Sequence, residues 1–246
     1  MYKTFNACYK AIFGEIIKPD GFSYCSKLNM FVKMLNKELL AFIGTKSAPA
    51  WEKGNKGFMI TAGIISVYYE SIDKNNVQYM SHELFHFLPK DEIKVSFEYN
   101  FDTMEEVINN TAFYVKERLL PVFNTVTDLD SYIEYMKMYS ISDLRGCDLY
   151  KGESLVLVKA DNHDDFQQYF QDSVAEINAR IDAGLVGEGY TKEDCYKDFY
   201  EGIIEGVVQP RDKVFADSNL LNAALEEADR RKNDNIKKLT TYKVVY

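Results

Sequence analysis

Residues 57–69 read Gly-Phe-Met-Ile-Thr-Ala-Gly-Ile-Ile-Ser-Val-Tyr-Tyr, a stretch without a charged side chain. Its residues are apolar, β-branched or aromatic on both alternating faces. Such a segment is stable when both of its faces are buried, so we expect it to be the central strand of a sheet. Gly57 fits the start of this strand, and Gly63 fits a bulge or the close approach of another backbone.

The residues before this stretch predict a helix followed by antiparallel strands. Apolar side chains recur at helical spacing between Met1 and Lys18, and Pro19-Asp20-Gly21 ends that helix. Short strands follow, with a turn at Asn36-Lys37 between the last two. Their predicted bounds are Phe22–Cys25, Asn29–Leu35 and Glu38–Lys46, and residues 47–56 form the loop before the central strand.

The residues after this stretch predict further strands and then helices. We expect strands at Val77–Leu88 and Ile93–Tyr99, and then a helix with Asp102 as its N-cap and Pro121 at its end. Residues 140–246 are mostly helical, although Leu155–Val158 fits a short strand. The other predicted helices cover Asp128–Tyr139, a segment that starts in the acidic run 161–165, Lys192–Gly206 and Ser218–Leu239.

The order of these elements predicts an α+β fold. It consists of an antiparallel meander sheet with an N-terminal helix and covering helices. Prolines are scarce, so no proline-rich linker divides the chain. We therefore predict an α+β core domain at residues 1–140 and a helical extension at residues 141–246 that packs on the same core.

The composition restricts the classes of partner. The formal net charge is −9, which argues against nucleic acid or an anionic membrane as a partner, because both present phosphate. No apolar stretch approaches the roughly 18 residues that span a bilayer, and the N-terminus lacks the pattern of a secretory signal. Cys8, Cys25, Cys147 and Cys195 are widely spaced without a C-x-x-C pair, which predicts reduced thiols and a cytoplasmic protein.

One motif carries recognisable chemistry. Residues 82–86 read His-Glu-Leu-Phe-His, a literal H-E-x-x-H. On a helix, two histidines four residues apart share a face and bind one Zn²⁺, while Glu83 polarises the metal-bound water as a general base. Glu106 lies at the separation at which gluzincin peptidases place their glutamate ligand, and Asn110 is one turn further on. The metal ligands of this alternative are His82, His86 and Glu106.

The residues around the motif favour a strand over a helix. Pro89 stops any helix within a turn of His86, and the aromatic residues of the segment prefer a sheet. Polar turns at residues 73–76 and 90–91 bracket the segment as in a hairpin meander. On a strand, His82 and His86 would lie about 13 Å apart, too far to share a metal. We therefore predict no catalytic residue, no metal ligand and no cofactor, and keep zinc as the alternative.

The other candidate residues have plainer interpretations. His163 lies in the acidic run 161–165, but Asp and Asn before a helix usually cap it. An aromatic pocket for a small molecule is a further hypothesis, although such residues more often pack in a core or an interface. Its candidate lining residues are Trp51, Phe58, Tyr68 and Tyr69.

Several short motifs occur in a familiar order. Ile17–Phe22 reads Ile-Lys-Pro-Asp-Gly-Phe, Phe58–Ile64 reads Phe-Met-Ile-Thr-Ala-Gly-Ile, and Leu120–Phe123 precedes the Asp-Leu-Asp of Asp128–Asp130. Together with a strand that bears Phe31, they resemble a bacterial family known only as a domain of unknown function. Its members share a K-P-x-G-F opening and an F-x-I-x-x-G-I strand.

This resemblance covers residues 1–140. It implies an α+β fold with an antiparallel sheet, and a strand at Val77–Phe87. The family has no assigned activity, so the resemblance carries over no functional residue.

The sequence as a whole predicts a binding protein. Apart from H-E-x-x-H, no arrangement of catalytic residues stands out in a chain rich in acidic and aromatic residues. We expect a cytoplasmic, non-catalytic protein-interaction module whose partner contacts a sheet face or the C-terminal helices. Small acidic proteins that neutralise a toxin are one class of this kind. The alternative is a small zinc metallopeptidase of the gluzincin type, and the sequence makes no prediction of the oligomeric state.

Overall fold

The computed structural model describes residues 2–88, 96–139, 153–161, 163–185 and 191–244. In these ranges an antiparallel sheet is combined with many helices, which confirms the predicted α+β class. The chain forms two compact units. Within the described ranges, the first unit comprises residues 2–67, 71–128 and 234–244, and the second comprises residues 68–70 and 129–233. The boundary predicted between residues 140 and 141 lies outside the described residues.

The chain begins with the predicted helix, α1. Its N-cap is Thr4, whose Oγ1 accepts a hydrogen bond from the Ala7 N–H. The helix ends as predicted, because Gly21 adopts a left-handed φ of 91° directly after Asp20. Buried side chains recur every four residues at Tyr9, Phe13 and Ile17. The helix runs through α-helical Phe5–Cys8, π-helical Tyr9–Phe13, α-helical Gly14–Ile17 and 3₁₀-helical Lys18–Asp20.

An antiparallel meander follows, as predicted. Each strand pairs with the next, so the four strands lie side by side in chain order. The predicted turn at Asn36 is confirmed, because its Oδ1 accepts hydrogen bonds from the N–H groups of Glu38 and Leu39. The strands are β1 (Ser23–Cys25), β2 (Met30–Met34), β3 (Leu39–Ala48) and β4 (Lys56–Ser66).

The strand β4 occupies the centre of the sheet. Along one edge it pairs with β3 from Gly57 to Ser66. Along the other edge it pairs with two short strands, β5 (His82–Glu83) and β6 (Phe97–Tyr99). At Gly63 a Cβ atom would lie 2.7 Å from Cζ of Phe42 and 2.8 Å from the carbonyl oxygen of Met80. The close approach predicted at Gly63 is therefore confirmed.

The strand predicted at Val77–Leu88, also implied by the family resemblance, is wrong except at His82–Glu83. The segment begins with a helix, α2 (Lys74–Tyr79), and ends with a 3₁₀ turn at Leu84–Phe87. The helix forms because the Asp73 carboxylate accepts hydrogen bonds from the N–H groups of Asn75 and Asn76, as an N-cap does. Of the strand predicted at Ile93–Tyr99, residues 97–99 form β6, and residues 93–95 lie outside the described residues.

Two helices follow β6, α3 (Met104–Arg118) and α4 (Leu120–Asn124). The cap predicted at Asp102 is wrong, because Asn100 Oδ1 accepts hydrogen bonds from the N–H groups of Asp102 and Thr103. The helix α3 ends at Arg118, close to the predicted end at Pro121. Pro121 itself is tolerated in the helix that follows. It lies in the first turn of α4, where its missing N–H has no helical partner to lose. The buried face of α3 follows the predicted spacing at Met104, Ile108, Thr111, Val115 and Leu119.

The described part of the second unit is helical. The strand predicted at Leu155–Val158 is wrong, because these buried residues lie within a helix. A short apolar run fits a buried strand or a buried helix equally well. In the same unit the Tyr132 hydroxyl donates a hydrogen bond of 2.8 Å to the buried Glu153 carboxylate. The helices are α5 (Leu129–Met138), α6 (Ser154–Ala160), α7 (His163–Asp182), α8 (Lys192–Lys197), the π-helical Asp198–Val208, α9 (Gln209–Ala216) and α10 (Ser218–Thr241).

The last turns of α10 belong to the first unit, where Asn235 anchors them. This side chain is buried, and its Oδ1 accepts a hydrogen bond of 2.8 Å from the Ile72 N–H. Its Nδ2 donates a hydrogen bond of 3.0 Å to the Val67 carbonyl. One amide side chain therefore satisfies the backbone on both sides of residues 68–70, where the chain leaves the unit and returns.

We predict that Gly63→Ala destabilises the first unit by roughly 1–3 kcal/mol, because the added methyl group must displace the Phe42 ring and the Met80 backbone. The measurement is the free energy of urea unfolding. The matched control is Gly202→Ala, where an added Cβ meets no atom within 4 Å. If the two variants unfold at the same urea concentration as the wild type, the close packing at Gly63 is not the constraint that we describe.

Candidate functional site

The H-E-x-x-H motif does not lie on an α-helix. His82 and Glu83 form β5, and His86 lies in the 3₁₀ turn that follows. The chain leaves the extended conformation at Leu84, so the two imidazole rings approach each other. Their centroids are 5.9 Å apart, with an angle of 70° between the ring planes. The predicted separation of about 13 Å is therefore wrong, because it assumed an extended backbone throughout.

The described residues supply two imidazoles but no third metal ligand beside them. Glu106 is exposed on α3, and no group of three or more His, Cys, Asp or Glu placed to hold a metal occurs in the described ranges. The Glu83 carboxylate pairs with the Lys46 ammonium at 2.6 Å. Catalytic zinc requires three protein ligands and an open position, so the described residues do not fit such a site.

His82 is held in its neutral form. Its side chain is 4% exposed, and its Nδ1 has no hydrogen-bond partner among the described residues. Burial and, to a smaller extent, the neighbouring His86 lower the pKa of His82 to about 4. By contrast, His86 is exposed, and its Nδ1 lies 3.2 Å from the Glu83 carbonyl oxygen.

A second cluster of unusual side chains surrounds the loop between β3 and β4, residues 49–55. Trp51 is the single tryptophan of the chain, and 89% of its surface is exposed. The loop backbone is nevertheless fixed. The Glu98 carboxylate accepts hydrogen bonds from the N–H groups of Trp51, at 2.6 Å, and Glu52, at 3.2 Å. These bonds, chiefly the one from Trp51, lower the pKa of Glu98, so the carboxylate stays ionised.

Beside this loop lies a recess of about 390 Å³. Its aromatic wall consists of Phe5 and Tyr99, whose rings stack with centroids 5.0 Å apart, and Phe5 also packs on the buried Phe58 at 4.8 Å. Phe101 stands on its rim and is 57% exposed. We call Trp51, Phe101 and this recess the Trp51 surface. The residues that line the recess include Lys3, Phe5, Gly54, Lys56, Tyr99 and Asn100.

The recess collects residues from separate segments of the first unit. The hypothesis of a pocket that includes Phe58, Tyr68 and Tyr69 is wrong, because these three side chains are buried. The sequence analysis named Trp51 but missed the recess. Its only sequence signal was a lone tryptophan in a polar loop. The aromatic and basic residues that line the recess come from α1, from Lys3 before the N-cap of that helix, from β4, from β6 and from the turn before α3.

The remaining candidates are His163 and the four cysteines. His163 is the first residue of α7, which confirms a helix start in the acidic run. Cys8, Cys25 and Cys195 are free thiols, and Cys147 lies outside the described residues. In the described ranges, no helix combines the length and the apolar character that crossing a bilayer requires.

Comparisons with family models, with curated proteins and with solved structures found no match for this chain. The resemblance to a bacterial family of unknown function accordingly stays a prediction.

We predict that His82 makes the folded state sensitive to acid. Because its pKa is about 4 in the folded state and near 6.5 in an unfolded chain, the unfolded state binds the proton first as the pH falls. The contribution of neutral His82 to the free energy of unfolding is complete above about pH 6.5. Acidification to pH 4 should lower the free energy of unfolding by roughly 3 kcal/mol through this group. The measurement is urea unfolding at pH 7.5 and pH 4.

The informative comparison is with His82→Gln, because glutamine binds no proton in this pH range. Between pH 7.5 and pH 4, the free energy of unfolding of His82→Gln should decrease by about 3 kcal/mol less than that of the wild type. His86→Gln removes the smaller cause of the lowered pKa of His82, so its loss of unfolding free energy should lie between those of the wild type and His82→Gln. Equal losses in the wild type and His82→Gln would show that His82 is not the group responsible.

Proposed function

We propose that this chain is a non-catalytic binding protein that contacts a protein partner through the Trp51 surface. The observation that carries the proposal is a tryptophan with 89% of its surface exposed, on a loop whose backbone N–H groups are bound by Glu98. Tryptophan is among the residues that contribute most to binding at protein interfaces.

The fixed loop supports binding in a second way. A flexible loop loses conformational entropy when it binds, and this loss weakens the complex. Here the Glu98 carboxylate already holds the backbone of Trp51 and Glu52, and Asn55 Nδ2 donates a further hydrogen bond to the Glu52 carboxylate. The backbone that carries the indole is therefore held before a partner arrives.

The nature of the partner is also part of this proposal. The formal charge of −9 disfavours nucleic acid and anionic membranes, so a protein is the partner that we propose. The free thiols of Cys8, Cys25 and Cys195 support a cytoplasmic location, where disulfides are rare. An inhibitory partner of a toxin remains one class within this proposal, by analogy alone.

The test is site-specific photocross-linking in a lysate of the source cells. A benzophenone amino acid replaces Trp51 in one variant and Tyr79, which is 63% exposed elsewhere in the first unit, in the matched control. We expect one protein to cross-link from position 51 and not from position 79. Excess wild-type chain should compete this product away, whereas Trp51→Ala should compete at least tenfold less well.

Glu98→Gln provides a further arm of this experiment. The substitution removes the charge that holds the loop but leaves Trp51 in place, so it should compete less well than the wild type and better than Trp51→Ala. If positions 51 and 79 capture the same proteins, or if Trp51→Ala competes as well as the wild type, the Trp51 surface is not the binding site.

The alternative function is a zinc metallopeptidase that uses Glu83 as base, and the proximity of the two imidazoles favours it. Two observations oppose the zinc metallopeptidase. Glu83 forms an ion pair with Lys46, and no third ligand lies beside the two histidines in the described ranges. We expect purified protein to contain less than one zinc per chain and to hydrolyse no member of a peptide library. Stoichiometric zinc that is lost in His82→Ala, together with hydrolysis that is lost in Glu83→Gln, would overturn the non-catalytic proposal.

A further inference from the structure

We infer that the recess binds an acidic segment of the partner protein, with an aromatic side chain against the aromatic wall and carboxylates paired with Lys3 and Lys56. This inference rests on the proposed function, since it names the chemistry of the segment that meets the Trp51 surface. Its basis is the combination of two exposed ammonium groups and an aromatic wall around one cavity.

The two lysines supply the charge. Both are exposed, and neither makes an ion pair or a side-chain hydrogen bond within the described residues. The neighbouring carboxylates of Glu98 and Glu105 do not line the recess, and they accept hydrogen bonds from backbone N–H groups of residues 51, 52 and 2. The lining side chains of the recess carry positive charge only, so a carboxylate is the complementary group.

The aromatic side chains supply the apolar contact. Tyr99 stacks on Phe5, and Phe101 projects from the rim with more than half of its surface free. The volume of about 390 Å³ falls at the lower end of the range of about 300–1,000 Å³ for ligand sites. A single aromatic ring with adjoining backbone suits such a volume, and ring-on-ring contacts add to the area that is buried.

The exposure of the rim favours a peptide segment over a free small molecule. Small-molecule sites usually enclose most of the ligand, whereas here the lining residues Lys3, Lys56 and Phe101 are all exposed. A chain that crosses the recess reaches these side chains as well as the wall. The net charge of −9 opposes the approach of an acidic segment, so binding of such a segment depends on the local attraction of Lys3 and Lys56.

The test is a titration with capped synthetic peptides. The probe is Glu-Glu-Phe-Glu-Glu, and the controls are Glu-Glu-Ala-Glu-Glu and Lys-Lys-Phe-Lys-Lys. Because Trp51 is the single tryptophan and lies in the loop beside the recess, its fluorescence reports binding without a label, and calorimetry provides a second readout. An affinity tag belongs at the C-terminus, away from Lys3. We expect the probe to bind, more weakly with rising salt, and both controls to bind at least tenfold less tightly.

The variants separate a specific charge effect from a general one. The double variant Lys3→Glu/Lys56→Glu should weaken binding of the probe at least tenfold. Lys53→Glu reverses an exposed lysine of the same loop that does not line the recess, so it should change the affinity less than about threefold. Melting temperatures of all variants establish that they fold. Equal affinities in the two variants, or no binding of the probe to the wild type, overturns this inference.

The cross-linking experiment distinguishes the two proposals. If a partner cross-links from position 51 and Lys3→Glu/Lys56→Glu competes for it as well as the wild type does, the acidic-segment inference fails and the proposed function stands. If no specific partner cross-links from position 51, the proposed function fails and this inference fails with it.

Discussion

The burial of β4 on both faces is the constraint on which the first unit depends. Gly63 of this strand has no side chain, so the Phe42 ring and the Met80 carbonyl occupy the space where a Cβ would stand. That contact places the end of α2 against the sheet. The chain then pairs with β4 as β5 two residues after Met80. Pairing along the second edge of β4 also positions β6, and with it Glu98. Close packing around one glycine is therefore linked, through strand pairing, to the surface that we propose for binding.

The Glu98 carboxylate connects fold and function. It lies on the short strand β6, which pairs with Lys56–Phe58 at the start of β4. From there it reaches the N–H groups at the tip of the preceding hairpin. A charged acceptor of backbone hydrogen bonds gives a stronger interaction than a neutral one. The loop backbone is thus held while a large apolar side chain remains in water. Exposure of the indole costs solvation free energy, and a role of the indole in binding would account for this cost.

The motif at residues 82–86 shows how local structure changes chemistry. An α-helix would bring both histidines to one face with Glu83 beside them, and a strand would separate them. The chain does neither, because a two-residue strand followed by a 3₁₀ turn brings the rings together and directs Glu83 to Lys46. Proline and aromatic content correctly excluded a long helix at the motif. They did not distinguish a strand from a turn, because the Asp73 cap and the pairing with β4 decide that.

The sequence by itself determined the elements whose burial pattern is periodic or continuous. The central strand, the antiparallel strands before it, α1 and the buried face of α3 all follow from the spacing of apolar residues, since that spacing matches one backbone geometry. Only the tertiary structure decided the conformation of short apolar runs such as Leu155–Val158, because such a run satisfies a buried helix and a buried strand alike. It also decided the recess, whose lysines and aromatic rings come from distant segments. Proximity between such segments is set by strand pairing and core packing, which leave no local pattern in the chain.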